Sequence, residues 1–206
     1  MGDEASGPRP NRRAVQAQQT HDEILRVARR RFGQDGYAAT SLKDIAAEVG
    51  ISVQTIYDSV GGKADLVRRL NDLMDREADI GSIAAGIGSE TDPQALAAIP
   101  ARVTCRLLQR SGDIMRACLA GGLTEPGLVP LVEEGGRRHR AGASAVAGRL
   151  AALGALAPGV SVDQAAGSLA ALSDFRLGIV LLDDHGMTVE QLELWMADQA
   201  VRAVLR

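Results

Sequence analysis

The chain has 206 residues, 46% of them apolar and only 2% aromatic, with a net charge of −3. A core must then be built from Leu, Val, Ile and Ala, a composition that favours helices over sheets. It argues against a disulfide-stapled secreted fold, because Cys105 and Cys118 show neither CxxC nor zinc-ligand spacing. No apolar run is expected to reach the length of a membrane span, and the polar residues 1–19 lack the apolar stretch of a secretory signal. A soluble cytoplasmic protein is expected.

Charge is unevenly placed. Residues 8–63 carry nine Lys/Arg and six Asp/Glu, whereas residues 64–206 carry fourteen and eighteen. A mildly basic head on an acidic body fits a nucleic-acid-binding module joined to something else.

Residues 1–13, with Gly2, Gly7, Pro8 and Pro10, read as a flexible basic arm. Its Arg12 and Arg13 suit either a solubilising tail or a contact with phosphates or the minor groove. A helix then runs to about Gln34 with Ile24, Leu25, Ala28 and Phe32 as its apolar stripe, beginning near Arg13 or at a capping box of Thr20 and Glu23. Gly36 follows where a left-handed residue is wanted. Ser41 opens a second helix with Asp44 in its first turn, and Leu42, Ile45, Ala46 and Val49 face inward. Gly50 stops it, Ser52 caps a third helix to about Ser59, and Gly61-Gly62 breaks that. A fourth helix is expected from Lys63 to about Ile80. Residues 81–93, rich in Gly, Ser and Asp, read as the clearest boundary. Beyond it the pattern predicts helices at 94–110, 113–121, 128–153, 162–182 and 189–204. No strand pattern or internal repeat is visible.

The expected fold class is therefore all-α: a three-helix head over 14–63 and a helical body over 64–206. Residues 41–60 give helix, short turn, helix, the geometry of a helix-turn-helix. The second helix of such a unit fits the major groove and presents its first residues to base edges. Val53, Gln54 and Thr55 are the outward candidates there. Gln54 can make a bidentate contact with adenine, and Val53 and the Thr55 methyl can touch a thymine methyl. Thr40, Ser41, Tyr57, Ser59 and Lys63 suit phosphates, since hydroxyls, an ammonium and free helix N–H groups favour anions.

The run ILRVARRRFGQDGYAATSLKDIAAEVGISVQTIYDSVGGKADLV, residues 24–67, resembles the TetR family of repressors. It carries Gly-Tyr, Thr-Ser, Asp-Ile-Ala, Gly-Ile-Ser, Thr-Ile-Tyr and Lys-x-x-Leu in order. The resemblance implies that residues from Ser52 to Thr55 begin a recognition helix, that Tyr57 reaches the DNA backbone, and that Lys63 contacts a phosphate. The family usually follows its tyrosine with a second aromatic or histidine and then phenylalanine. This chain has Asp58, Ser59 and Val60, so Ser59 removes a bulky backbone contact and Asp58 introduces a charge that repels phosphate.

In the body, residues 162–182 are apolar nearly all round, and the last helix shows a similar excess. Such helices must be covered on two sides. Leu169, Leu172, Val180, Leu192, Met196 and Val204 are the candidates for a homodimer interface, a four-helix arrangement that the resemblance also implies. Small residues and methionines suggest a cavity for a small apolar or amphipathic ligand. Its candidate lining is Arg102, Cys105, Met115, Leu119 and Phe175, with Asp174 as a polar anchor. The cluster from Arg137 to Arg140, His139 included, reads as a solvated face, and Asp183-Asp184-His185 as a loop rather than a metal site. No catalytic constellation, metal site or cofactor motif is found. The expected function is that of a DNA-binding repressor, dimeric on a palindromic operator and released by a ligand. The alternative is a DNA-binding regulator without a ligand.

Overall fold

In the computed structural model, residues 12–121 and 126–205 are described. Their helices follow in chain order as α1 (Arg12–Gln34), α2 (Leu42–Val49), α3 (Val53–Val60), α4 (Lys63–Glu77), α5 (Ile80–Gly86), α6 (Pro93–Gly121), α7 (Val129–Ala152), α8 (Val162–Leu172), α9 (Phe175–Asp183) and α10 (Val189–Val204). A short 3-10 turn, Pro126–Leu128, precedes α7. Among the described residues the β-type pairing is a single bridge between Leu156 and Leu205.

The expected arm at 1–11 lies outside the described residues, but Arg12 and Arg13 belong to the first turn of α1. Thr20 does not cap that helix: its hydroxyl donates to Gln16 O at 3.0 Å from mid-helix, and Glu23 pairs with Arg26. Helices α1 to α4 close around Ile24, Leu25, Ala28, Phe32, Ile45, Ile56, Val60 and Leu66, each essentially sealed from solvent. This core continues without a gap into α6, through Ile114 and Met115, and into α9 and α10. A second core of Leu96, Val146, Leu150, Leu169 and Val204 joins α6, α7, α8 and α10.

Three breaks differ from the sequence expectation. The helix expected to reach Ile80 ends at Glu77, where Asp79 takes a left-handed φ of 54°. The supposed boundary at 81–93 then contains α5. The gap expected near 111 is a bend inside α6, where Ser111 leaves helical geometry (φ −142°, ψ 24°).

The helix expected across 162–182 is broken at Ser173. The Ser173 hydroxyl bonds back to Leu169 O at 2.6 Å, and Asp174 starts a fresh helix by accepting Arg176 N at 2.8 Å. Serine and aspartate compete in this way with the backbone of a continuing helix. Contrary to expectation, the Val162–Asp183 segment is long and apolar enough to cross a membrane, and only 28% of its most apolar stretch is buried in the chain. Yet it is two helices bent at a charged cap, with α8 packed on α7 and α10.

Burial corrects the interface candidates. Leu169, Leu192, Met196 and Val204 are 0–1% exposed inside the chain's own cores, so they cannot meet a second copy. Leu172 is half-buried, and Val180 stands out at 40% exposure. Leu194 on α10, which the sequence reading did not single out, is 73% exposed.

Candidate nucleic-acid interface and neighbouring cavity

The helix-turn-helix is built from local caps. Ser41 N donates to Asp44 Oδ2 at 3.0 Å, and Asp44 N donates to Ser41 Oγ at 3.2 Å, a reciprocal capping box. The Ser41 hydroxyl, which donates to Asp44 Oδ2 at 2.5 Å, and then the Ser41 N–H hold the Asp44 carboxyl below its ordinary range. Gly50 turns the chain with φ 77°, and both Gly50 N and Ile51 N donate to Ala46 O. Ser52 then caps α3 by accepting Thr55 N at 3.0 Å. Ile56 and Val60 anchor α3 in the core. At the far end Gly61 has φ 87°, and a Cβ there would lie 2.5 Å from Asp65 Oδ2. That carboxylate is already bonded to Gly62 N at 2.8 Å, capping α4. Glycine is therefore required at this corner on two counts.

Anchoring Ile56 inward turns Gln54, Tyr57 and Asp58 outward, with Tyr57 53% exposed. Val53, Thr55 and Ser59 are half-buried at the edges of that face, and Ser41 and Ser52 are exposed at the two helix N-termini. Thr40 does not join them. It is 2% exposed, and its hydroxyl donates inward to Gly36 O at 3.0 Å. Lys63 also differs from expectation. Its ammonium donates to the carbonyls of Tyr37 and Ala38 and lies 4.1 Å from the centre of the Tyr37 ring. It fastens α4 to the turn that follows α1. Lys43, exposed on α2, is a cation beside this face that the sequence reading passed over.

Behind the head, α4 runs from the helix-turn-helix to a cavity of about 180 Å³ between α4, α5, α6 and α7. Of the six candidate ligand residues, Met115 and Phe175 line it. The other four do not. Arg102 faces Glu193 at 3.9 Å on the surface, and Leu119 is 42% exposed. Cys105 is core, with burial and then Glu193 and Glu190 pushing its thiol up to about 12. The Asp174 carboxylate caps α9 and pairs with Arg176.

The cavity instead draws on residues that the sequence did not assign to it, among them Asn71, Ile83, Thr104, Gly135 and His139. A sequence signal existed: Gly135-Gly136 inside a long helix, where glycine is costly, marks space or close approach. Nor is the Arg137–Arg140 stretch wholly a solvated face. Arg138 bonds Asp72 at 2.6 Å and Asp75 at 2.7 Å on α4, and Glu134 at 2.6 Å. His139 turns toward α8, its Nε2 2.9 Å from Ala170 O.

Residues 24–70 match the family described as bacterial regulatory proteins, tetR family. The chain is 36% identical over 78 residues to the HTH-type transcriptional regulator TtgR of Pseudomonas putida, a match spanning 38% of this chain and 37% of that protein. It therefore covers well under half the length of this curated relative. The whole fold is similar to NalD, the secondary repressor of the MexAB-OprM multidrug efflux pump in Pseudomonas aeruginosa. The TM-score is 0.69 at 18% identity, over 93% of this chain and 98% of that one. It is also similar to SmeT in its triclosan complex, with TM-score 0.71 at 19% identity, over 92% and 93% of the two chains. The helix-turn-helix thus carries the stretch that matches the tetR-family model over residues 24–70, and the all-helical body behind it shares its fold with these solved structures.

Proposed function

We propose that this chain is a sequence-specific DNA-binding transcriptional regulator, a dimeric repressor that a small apolar or amphipathic ligand releases from a palindromic operator. The observation that carries the reading is the rigid presentation of α3. Its inner residues are locked in the core, while Gln54, Tyr57 and the flanking Ser41 and Ser52 face outward. A preorganised helix of this kind is what the major groove accepts. In this reading residues 14–63 form the DNA-binding unit and residues 64–206 the ligand and dimer unit. Gln54, with Val53 and Thr55, reads bases, while Ser41, Ser52, Tyr57 and Ser59 hold phosphates.

Release by a ligand is supported by the cavity's position. Asn71, Met74 and Asp75 of its wall belong to α4, the helix whose first residue, Lys63, is fastened under the helix-turn-helix. A ligand that prefers one placement of α4 lowers DNA affinity by that preference. NalD is a repressor and SmeT has been seen with triclosan, which fits the same assignment. Dimerisation is supported by the apolar outer face of α8 to α10, including Val180 and Leu194. A second copy covers it and sets two α3 helices about one DNA turn apart. No membrane partner is needed to account for that face, and the protein acts in the cytoplasm.

The test is selection of bound fragments from a random DNA pool by the full chain, followed by titration of the recovered sequence. An inverted repeat with half-site centres about 10 bp or a multiple apart is expected. Recovery of unrelated sequences with no shared motif overturns the reading.

A further inference from the structure

The cavity wall is apolar except at a few places, and there the hydrogen-bonding balance is lopsided. The Thr104 hydroxyl is 2.6 Å from Ser173 O, so its one hydrogen is committed to that carbonyl. His139 Nε2 is 2.9 Å from Ala170 O, and a carbonyl can only accept. Neutral His139 therefore carries its proton on Nε2, which leaves Nδ1 as an acceptor. Both bonds brace the same feature, the break in the chain between α8 and α9, whose carbonyls have lost their helical partners. On α4, Asn71 Nδ2 donates to Leu131 O at 3.0 Å. The cation on the wall, Arg138, is bonded to the carboxylates of Asp72, Asp75 and Glu134. Three acids around Arg138, one of them shared with Arg137, still leave a surplus of negative charge there.

A ligand entering this space thus meets apolar surface, acceptors on Thr104 and His139, and no cation unmatched by carboxylates among the described lining residues. We propose that the cavity selects an uncharged, largely apolar molecule that donates a hydrogen bond, of the phenol or alcohol class. The donor goes to His139 Nδ1 or Thr104 Oγ1, whose residues line the cavity together with Phe175. An ether of the same shape leaves those acceptors unpaired, and a carboxylate meets lone pairs and acidic groups. Buried polar groups left without partners are what lets a site reject such an analogue. The inference rests on the ligand-responsive reading above and specifies its chemistry.

The experiment uses the full chain and three probes of one skeleton: 4-tert-butylphenol, 4-tert-butylanisole and 4-tert-butylbenzoate, measured by calorimetry. The phenol is expected to bind about tenfold tighter than the ether, as one hydrogen bond of ordinary strength implies, with the benzoate weakest. Thr104→Val combined with His139→Leu should bring the phenol-to-ether ratio close to one while the ether binds as before. The comparison on the unaltered chain stands even if that variant fails to fold. Equal binding of phenol and ether, or tightest binding of the benzoate, overturns the donor assignment and leaves the ligand-responsive reading standing. Binding of none of the three, by protein that still titrates operator, overturns the ligand reading and this inference with it.

Discussion

Gln54 donates its side-chain amide to Asp58 Oδ1 at 2.8 Å, one turn further along the exposed face of α3. Pairs of this spacing meet naturally on a helix surface. In the DNA-binding reading proposed above, the group best suited to read adenine is held by the carboxylate least suited to lie near phosphate. Asp58 takes one of the two amide hydrogens and leaves the other, with Oε1, for a base edge.

Gln54→Ala should therefore weaken operator binding by roughly 1–3 kcal/mol and relax the preference at one base position. Asp58→Asn should act in the other direction, raising affinity on operator and random DNA alike by several-fold, with the gain shrinking as salt rises. Titrations of both variants on both DNAs at two salt concentrations decide the matter. Equal losses on the two DNAs for Gln54→Ala would show that this side chain reads no base.

Lys63 lies within hydrogen-bond reach of the Tyr37 and Ala38 carbonyls, which changes the expectation for its removal. Lys63→Ala should cost about 1–3 kcal/mol of folding stability, the usual worth of a charge-assisted bond lost from a partly buried site. Denaturant unfolding measures it. If stability is unchanged while the salt dependence of DNA binding flattens by about one unit of slope, the ammonium serves a phosphate rather than the turn.

Most of the head could be read from sequence because its signals are local. Ser41, Gly50, Ser52 and Gly61 act on their immediate neighbours, so caps and turns followed from residue type and spacing. The body was legible as all-helical but neither in its breaks nor in its sides. Leu169, Leu192, Met196 and Val204 were assigned outward because residues 162–182 look apolar all round. What decides orientation is the break at Ser173, which depends on a hydroxyl back-bond and on Asp174 capping a new helix. The cavity was mostly missed for a different reason. Its lining gathers residues from α4 to α7 and from Phe175, and no one-dimensional pattern brings Asn71 and His139 together. Thr40 and Lys63 show a third limit: residue type licensed a phosphate contact, but inward carbonyls are bonded to both.

Cys105 was a ligand candidate and is a buried thiol, 1% exposed, its pKa pushed up to about 12 by burial and the nearby Glu193 and Glu190. Such a group carries almost no thiolate at neutral pH, and the thiolate is the nucleophile. Iodoacetamide at about pH 8 should leave Cys105 unmodified in the folded chain and label it once the chain is unfolded, as peptide mass mapping would record. Rapid labelling in the folded state would mean that α6 opens far more readily than its packing suggests.

The last prediction separates interface from core on α8 to α10. Val180 is 40% exposed on α9 and Leu194 is 73% exposed on α10, whereas Leu169 is 1% exposed. Val180→Asp with Leu194→Asp places charges on the outer face without disturbing either core. The double variant should keep its helical circular dichroism, scatter light as a monomer and lose most of its operator affinity, because one half-site supplies only part of the contact energy. Leu169→Ala should behave differently, lowering folding stability by about 2–5 kcal/mol, the range for truncating a buried leucine, while the protein that remains folded is still dimeric. If the double variant stays dimeric, the covered face lies elsewhere. If it becomes a folded monomer that binds operator as tightly as before, dimerisation is not what places the two recognition helices on DNA.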